Sequence, residues 1–150
     1  MRGTMKVRAL LYGALAVGVL DLLDALVFFG LRGVSPIRIP QSIAAGLLGR
    51  SAFQGGAPAA ALGVVLHFVI AFTIVLAYHL ASRWLRTLRE RPWTWGPVYG
   101  ILVYLIMNFV MLPLSAAGAP RLTTVVVING VLIHMLGVGL PAALSVRPIR

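Results

Sequence analysis

Four long apolar stretches follow one another along the chain, and each carries a polar residue near its middle. An apolar run of about 20 residues has the length of an α-helix that crosses the hydrocarbon core of a bilayer. The pattern predicts an all-α integral membrane protein with spanning helices at about residues 9–31, 57–82, 94–117 and 122–145. Because these helices use most of the chain, we interpret residues 1–150 as a single transmembrane domain.

The polar positions repeat together with their neighbours. A Tyr-Gly pair begins nine residues before Asp21 and nine residues before Asn108, and a glycine lies four residues before His67 and four before His134. The chain therefore resembles one helical hairpin used twice. We expect a four-helix bundle of two repeated hairpins, related by a pseudo-twofold axis along the membrane normal, an arrangement known from transporters.

Residues 34–56 interrupt this repeat between the first two spanning helices. Pro36 and Pro40 break the helix at the start of this segment, and Gly55-Gly56 ends it. Between them, residues 41–53 are predicted to form a short helix in the first outer loop. This helix is too short to span the bilayer. It lies either on the outer surface, which we prefer, or as a re-entrant piece between the long helices.

The charges lie beside the apolar stretches. The chain is 60% hydrophobic and 11% charged, and 13 Lys and Arg against 3 Asp and Glu give a net charge of +10. Basic residues cluster near both termini and in residues 83–91, which by the positive-inside rule places both termini and that loop in the cytoplasm. This placement indicates a multi-pass protein of the bacterial inner membrane, with anionic lipids of the cytoplasmic leaflet as partners, and not a nucleic-acid-binding protein.

Several classes of chemistry have no residues to support them. There is no cysteine, which excludes disulfides, thiolate catalysis and iron–sulfur clusters. No phosphate loop, dinucleotide fingerprint or nucleophile arrangement is present either. We therefore do not expect an enzyme. A GxxxG spacing from Gly96 to Gly100 favours close helix packing and is compatible with a homo-oligomer or with a partner in a larger membrane complex.

The candidate site is a group of polar residues near the middle of the membrane: Asp21, Asp24, His67, Asn108 and His134. At a rise of 1.5 Å per residue, the four repeated positions are expected to lie within about 8 Å of one another in depth. Asp24 lies on the same helix face as Asp21, three residues further on. Polar groups in lipid normally face the interior of a bundle and indicate a functional site.

Carboxylates and imidazoles together suit a proton relay or a site for a small cation. Two neighbouring carboxylates away from water should not both ionise, and histidine titrates near physiological pH. In this interpretation Asp21 carries the proton, His67 and His134 are its partners, and Asn108 is an orienting donor. Pro113 is expected to kink the third spanning helix, and Asn129 to make a hydrogen bond between helices.

Two other classes of function remain open. His67 and His134 would suit the axial ligands of a b-type haem, and Asp21 would complete a zinc or copper site with them. Such a protein would be an electron-transfer or storage subunit, but the sequence does not identify the cofactor. Alternatively, the polar residues only join the helices, and the protein is a structural or assembly subunit of a larger complex.

Several short stretches carry a resemblance to known proteins: Ile43–Gly49, Leu62–Phe68, Tyr99-Gly100, Met107-Asn108, Leu112–Ser115, Ile133-His134 and Gly139–Pro141. They resemble a group of small uncharacterised bacterial inner-membrane proteins, which is distantly similar to the YagU-like membrane proteins linked to acid resistance. The resemblance implies a membrane-spanning helical fold and, as an expectation, a role in acid resistance. It implies no catalytic residue.

Overall fold

The computed structural model describes residues 2–147, with side chains from residue 7 onward. Every regular element in that part of the chain is helical, which confirms the all-α class. The helices are α1 (Arg2–Gly30), α2 (Arg38–Leu48), α3 (Gly56–Trp84), α4 (Thr87–Glu90), α5 (Pro92–Leu114) and α6 (Thr124–Ser145). A 3₁₀-helix, Gly49–Gln54, joins α2 to α3.

Four of these helices are long and apolar enough to cross a membrane: Val7–Gly30 of α1, and all of α3, α5 and α6. Many of their large apolar side chains are exposed, including Leu15, Val65, Leu102 and Leu132. A water-soluble bundle of this size would cover such side chains, whereas helices that face lipid leave them on the outside. The four predicted helices are therefore confirmed as helices that are long and apolar enough to cross a membrane, which suggests a multi-pass membrane protein.

The ends of these helices have local causes. Ser115 adopts an extended backbone, which ends α5 three residues before the predicted position. The hydroxyl of Thr123 accepts a hydrogen bond from the backbone N–H of Val126 and so caps the start of α6. The short helix α2 begins at Arg38, earlier than expected, because Pro40 fits the first turn of a helix, where its missing N–H costs nothing.

Two helices contain π-helical turns, and each turn includes a candidate site residue. In α5 the turn is Met107–Met111, around Asn108, and in α6 it is His134–Gly139. A π-helical turn changes the direction of the side chains that follow it and is frequent at functional sites. In α5 the π-helical turn begins six residues before Pro113, and the kink predicted from this proline stays a prediction.

The densest packing lies in the half of the bundle near α4, which we call the α4 end. Val17, Val75, Tyr78, Val138 and Ala142 form its core, each 2% exposed or less. These residues come from α1, α3 and α6, so three of the long helices meet there. The opposite half, where α1 ends and α3 begins, is the α2 end, and it is packed less tightly around an internal space.

Candidate functional site

A cavity of about 700 Å³ lies between the four long helices at the α2 end. Its floor consists of Val17, Ala71 and Val138, which also belong to the core of the α4 end. Its roof is α2, through Arg38, Ile39, Ser42, Ile43, Gly46 and Leu47. Arg38, Ser42 and Leu47 are exposed, so the cavity is closed at the α4 end and reaches the surface near α2.

All five predicted site residues line this one cavity: Asp21, Asp24, His67, Asn108 and His134. Each is half-buried, with part of its side chain accessible. The long helices thus bring together residues that lie up to 113 positions apart in the sequence. This convergence makes the cavity the candidate functional site of the protein.

The two carboxylates of the cavity differ in their partners. Asp24 Oδ2 accepts a hydrogen bond of 2.7 Å from Asn129 Nδ2, which ties α1 to α6 and confirms the expected bond between helices. Asp21 has no hydrogen bond or ion pair to any side chain or backbone group in the part of the chain that the structure describes. Asp21 is therefore the acid that is open to a proton or a ligand.

Both histidines are held by backbone carbonyls, but in different ways. His67 Nε2 lies 2.8 Å from the carbonyl oxygen of Gly18 on α1, and His134 Nδ1 lies 2.8 Å from that of Gly130 on its own helix. A carbonyl oxygen only accepts, so each of these nitrogens carries a hydrogen. In neutral histidines the second nitrogen, Nδ1 of His67 and Nε2 of His134, then keeps a lone pair that accepts a proton.

Asn108 points back along its own helix. Its Nδ2 donates to the carbonyl oxygen of Tyr104 at 2.9 Å, which leaves its side-chain oxygen as an acceptor at the cavity. The backbone of His134 packs against Gly100, and Asn108 lies eight residues beyond Gly100, about 12 Å further toward the α2 end. The backbones of His134 and Asn108 are therefore offset along the bundle, but their side chains approach each other: Asn108 bonds back to Tyr104, and the Tyr104 ring meets the His134 ring at a centroid distance of 5.4 Å. The depth range of about 8 Å expected from the sequence stays a prediction.

Three further residues line the cavity but were not predicted as site residues from the sequence. Tyr104 is 4% exposed, and its hydroxyl group has no partner among the described residues. Asn129 holds Asp24, and the guanidinium of Arg38 lies 5.4 Å from the centre of the Phe53 ring. Arg38 carries no sequence signal as a site residue, because its position depends on where α2 packs. Tyr104 could have been predicted, because a residue four positions before Asn108 lies on the same face of the helix.

The third histidine belongs to a different part of the molecule. His79 Nε2 lies 2.8 Å from Ser145 Oγ, near the α4 end. The Ser145 hydroxyl donates to the carbonyl oxygen of Ala142, so it accepts from His79. His79 therefore joins α3 to α6 outside the cavity, which makes it a suitable control for the two cavity histidines.

The side chains do not form a metal site of the type considered from the sequence. In residues 2–147 no group of three or more His, Asp or Glu side chains is close enough to hold one metal ion. His67 would have to release Gly18 before it bound haem iron through Nε2. The described geometry therefore gives the haem and metal alternatives no specific support.

Fold and cavity together define a class: a small bundle of membrane-length helices with an internal cavity that contains acids and histidines. Comparisons of the chain with protein-family models, with curated proteins and with solved structures find no match. Its function must therefore be inferred from the cavity.

Proposed function

We propose that the protein is a multi-pass protein of the bacterial inner membrane that binds protons, or a small cation, at Asp21 and Asp24. The observation that carries the proposal is the convergence of all five polar residues on one cavity. Asp21 is the primary acid because it has no hydrogen-bond or ion-pair partner among the residues that the structure describes, whereas Asp24 is held by Asn129. His67 and His134 are proton acceptors beside the acids.

The shape of the cavity favours binding over free conduction. Its floor is made of the buried apolar side chains of Val17, Ala71 and Val138, which separate the cavity from the α4 end within the described residues. With both termini in the cytoplasm, as the basic loops favour, the cavity would take up protons from the outer side. Release on the inner side would require the floor to open, and the repeated hairpins, which would relate by a pseudo-twofold axis, suit such a rearrangement.

The proposal also extends to partners and to a cellular role. The basic residues near the termini and in 83–91 would bind anionic lipids of the inner leaflet. Because four helices are few for a transporter, we expect the working form to be a homodimer. A protein that takes up protons on the outer side would fit the acid-resistance role implied by the resemblance.

The test is infrared difference spectroscopy on the protein in lipid nanodiscs between acidic and neutral pH. The chain has only three acidic side chains, so protonated carboxyl signals can be assigned by substitution. Asp21→Asn and Asp24→Asn should each remove a signal from a carboxyl group shielded from water. Glu90→Gln is the matched control, because Glu90 lies in α4, outside the cavity. Its side chain is exposed, and its carboxylate lies 3.6 Å from the guanidinium of Arg86.

Glu90→Gln should alter only the signal of a carboxyl group in water. If neither Asp21→Asn nor Asp24→Asn changes the carboxyl signals relative to the wild type, the proposal is wrong.

A further inference from the structure

The cavity is much larger than a proton or a small cation requires. Its volume is about 700 Å³, whereas one water molecule occupies about 30 Å³ of liquid. Cavities of roughly 300–1,000 Å³ are the usual size of sites for small organic molecules. The space therefore fits an organic ligand as well as the waters that would hydrate an ion.

Along α1, the polar part of the cavity is followed by its apolar part toward the α2 end. Asp21 and Asp24 lie on one face of this helix, and Phe28 follows on the same face one turn nearer to the α2 end. Phe29 meets Phe28 edge to face at a centroid distance of 5.0 Å, and Phe53 adds an aromatic wall. A ligand with a charged group at Asp21 would therefore place its apolar part against aromatic rings.

The charge of the lining selects the sign of the ligand. Asp21 and Asp24 carry two negative charges when ionised, and Arg38 is the one Lys or Arg among the lining residues that the structure describes. Both cavity histidines donate to carbonyls and keep a free lone pair when neutral. A second guanidinium, that of Arg32, lies over Phe28 at the α2 end, where Arg38 forms part of the roof. The deeper part of the cavity around Asp21 and Asp24 therefore has an excess of negative charge, which a monovalent cation balances and an anion does not.

The hydroxyl of Tyr104 lies beside the cavity but is not accessible to a group of the size of water, so only a turn of this side chain would bring it to a ligand. Tyr104 lines the cavity and is 4% exposed, yet its hydroxyl has no partner within the described residues. A buried hydroxyl without a partner is costly, so native proteins rarely keep one unless a water or a ligand completes it. The guanidinium of Arg32 lies 3.6 Å from the centre of the Phe28 ring, so an aromatic ring of this lining already holds a cation on its face.

We propose that the cavity binds a monovalent organic cation with an apolar body, whose charge is balanced by Asp21 and Asp24. The inference rests on the proposed function, since it uses the same carboxylates. When the cation binds, a carboxyl group that is protonated gives its proton to the solvent, and the carboxylate pairs with the cation. Cation binding and proton binding at this site would therefore compete.

The experiment measures binding of radiolabelled tetraphenylphosphonium to the purified full chain in nanodiscs by equilibrium dialysis, with empty nanodiscs subtracted. The probe keeps its charge at every pH, so any pH dependence belongs to the protein. Tetraphenylborate, an anion of the same shape, is the ligand control. We expect saturable binding of the cation that tightens as the pH rises, with release of protons into weakly buffered solution, and no saturable binding of the anion.

Three variants connect this binding to the cavity. Asp21→Asn should weaken binding of tetraphenylphosphonium by at least about tenfold, because one partner of a charge pair is removed. Asp21→Glu keeps the charge and should retain binding, which shows that loss in Asp21→Asn is not misfolding. Glu90→Gln also removes one carboxylate, but outside the cavity, and should bind as the wild type does.

Ala25→Phe separates this inference from the proposed function. Ala25 lines the cavity, so a phenyl ring there removes space but no charge. This variant should lose the organic cation and keep the infrared carboxyl signals of the two acids.

If the wild type shows those signals but does not bind tetraphenylphosphonium, the inference is overturned and the proposed proton binding stands. Equal binding of the cation and of tetraphenylborate, or full affinity in Asp21→Asn, would also overturn the inference.

Discussion

The segment that connects the first pair of long helices, α1 and α3, contains the short helix α2. In contrast, the second pair, α5 and α6, is connected only by residues 115–123, which contain no helix. In the second pair, the Cα of Gly100 sits against the backbone of His134, so α5 and α6 touch directly. In the first pair, Gly63 of α3 sits equally close to the backbone of Pro40, so α2 occupies the notch instead. A glycine in an apolar helix thus creates a place for close contact, and the length of the connecting segment decides which backbone fills it.

The chemistry of the two pairs differs as much as their packing. Both acids of the cavity lie on α1, and Asn108, the counterpart of Asp21, cannot ionise. Conversely, the π-helical turns found in the described residues lie in α5 and α6, at Asn108 and His134. The first pair therefore contributes charge to the cavity, and the second contributes irregular backbone next to it. A sequence repeat of polar positions does not imply a repeat of their roles.

The largest expected effect comes from filling the two glycine notches. Gly63→Ala and Gly100→Ala each place a methyl group against a backbone that cannot move aside easily. We expect each to lower the free energy of unfolding by about 2 kcal/mol or more, as overpacking of a tight contact does. Thermal unfolding in mild detergent, followed by circular dichroism, measures the loss.

Gly30→Ala is the control for this prediction, because an added Cβ at Gly30 meets nothing within 4 Å. If Gly63→Ala is as stable as Gly30→Ala while Gly100→Ala is not, then α2 is not packed against α3 as described. The two helix pairs would in that case differ in rigidity as well as in contacts.

A smaller effect is expected from the hydrogen bond that joins the pairs. Asp24 and Asn129 connect α1 to α6, so removing either side chain leaves the other without its partner. A double-mutant cycle with Asp24→Ala and Asn129→Ala should give a coupling energy of about 0.6–1.7 kcal/mol, the range found for such bonds in membranes. The same cycle for Asn108 and Asn129, which share no hydrogen bond, should give a coupling near zero. A coupling that is equal in both cycles would contradict a specific bond between the pairs.

The sequence predicts the parts of this molecule that depend on one helix at a time. Run length and hydrophobicity located the four long helices, and polar residues in apolar runs pointed to Asp21, Asp24, His67, Asn108 and His134, all of which line the cavity. Their relative depths were less predictable, because they depend on how α5 is aligned with α6, and the close contact of Gly100 with the backbone of His134 sets that alignment.

Features that depend on several helices could not be predicted. Arg38 reaches the cavity only because α2 packs against α3 and lies across this end of the cavity. The π-helical turns had a partial signal, since Pro113 and Pro141 each follow closely after one of them and disturb the preceding hydrogen bonds. That signal predicted a local disturbance but not its form.

The smallest effect, and the sharpest contrast, is expected between the two cavity histidines. His67 bonds across to Gly18 on another helix, whereas His134 bonds to Gly130 one turn back on its own helix. His67→Ala loses this hydrogen bond between helices, whereas His134→Ala loses the edge-to-face contact of its ring with Tyr104 of α5, at a centroid distance of 5.4 Å. We expect His67→Ala to lower the free energy of unfolding by up to about 0.6 kcal/mol more than His134→Ala does, because only the first breaks a hydrogen bond between helices. His79→Ala, which loses the bond to Ser145 of α6 outside the cavity, should resemble His67→Ala in stability but leave the carboxyl signals of Asp21 and Asp24 unchanged. Equal destabilisation by His67→Ala and His134→Ala would mean that the ring contact of His134 with Tyr104 holds α6 to α5 as strongly as the His67 hydrogen bond holds α3 to α1, and that the two pairs are more alike than their hydrogen bonds indicate.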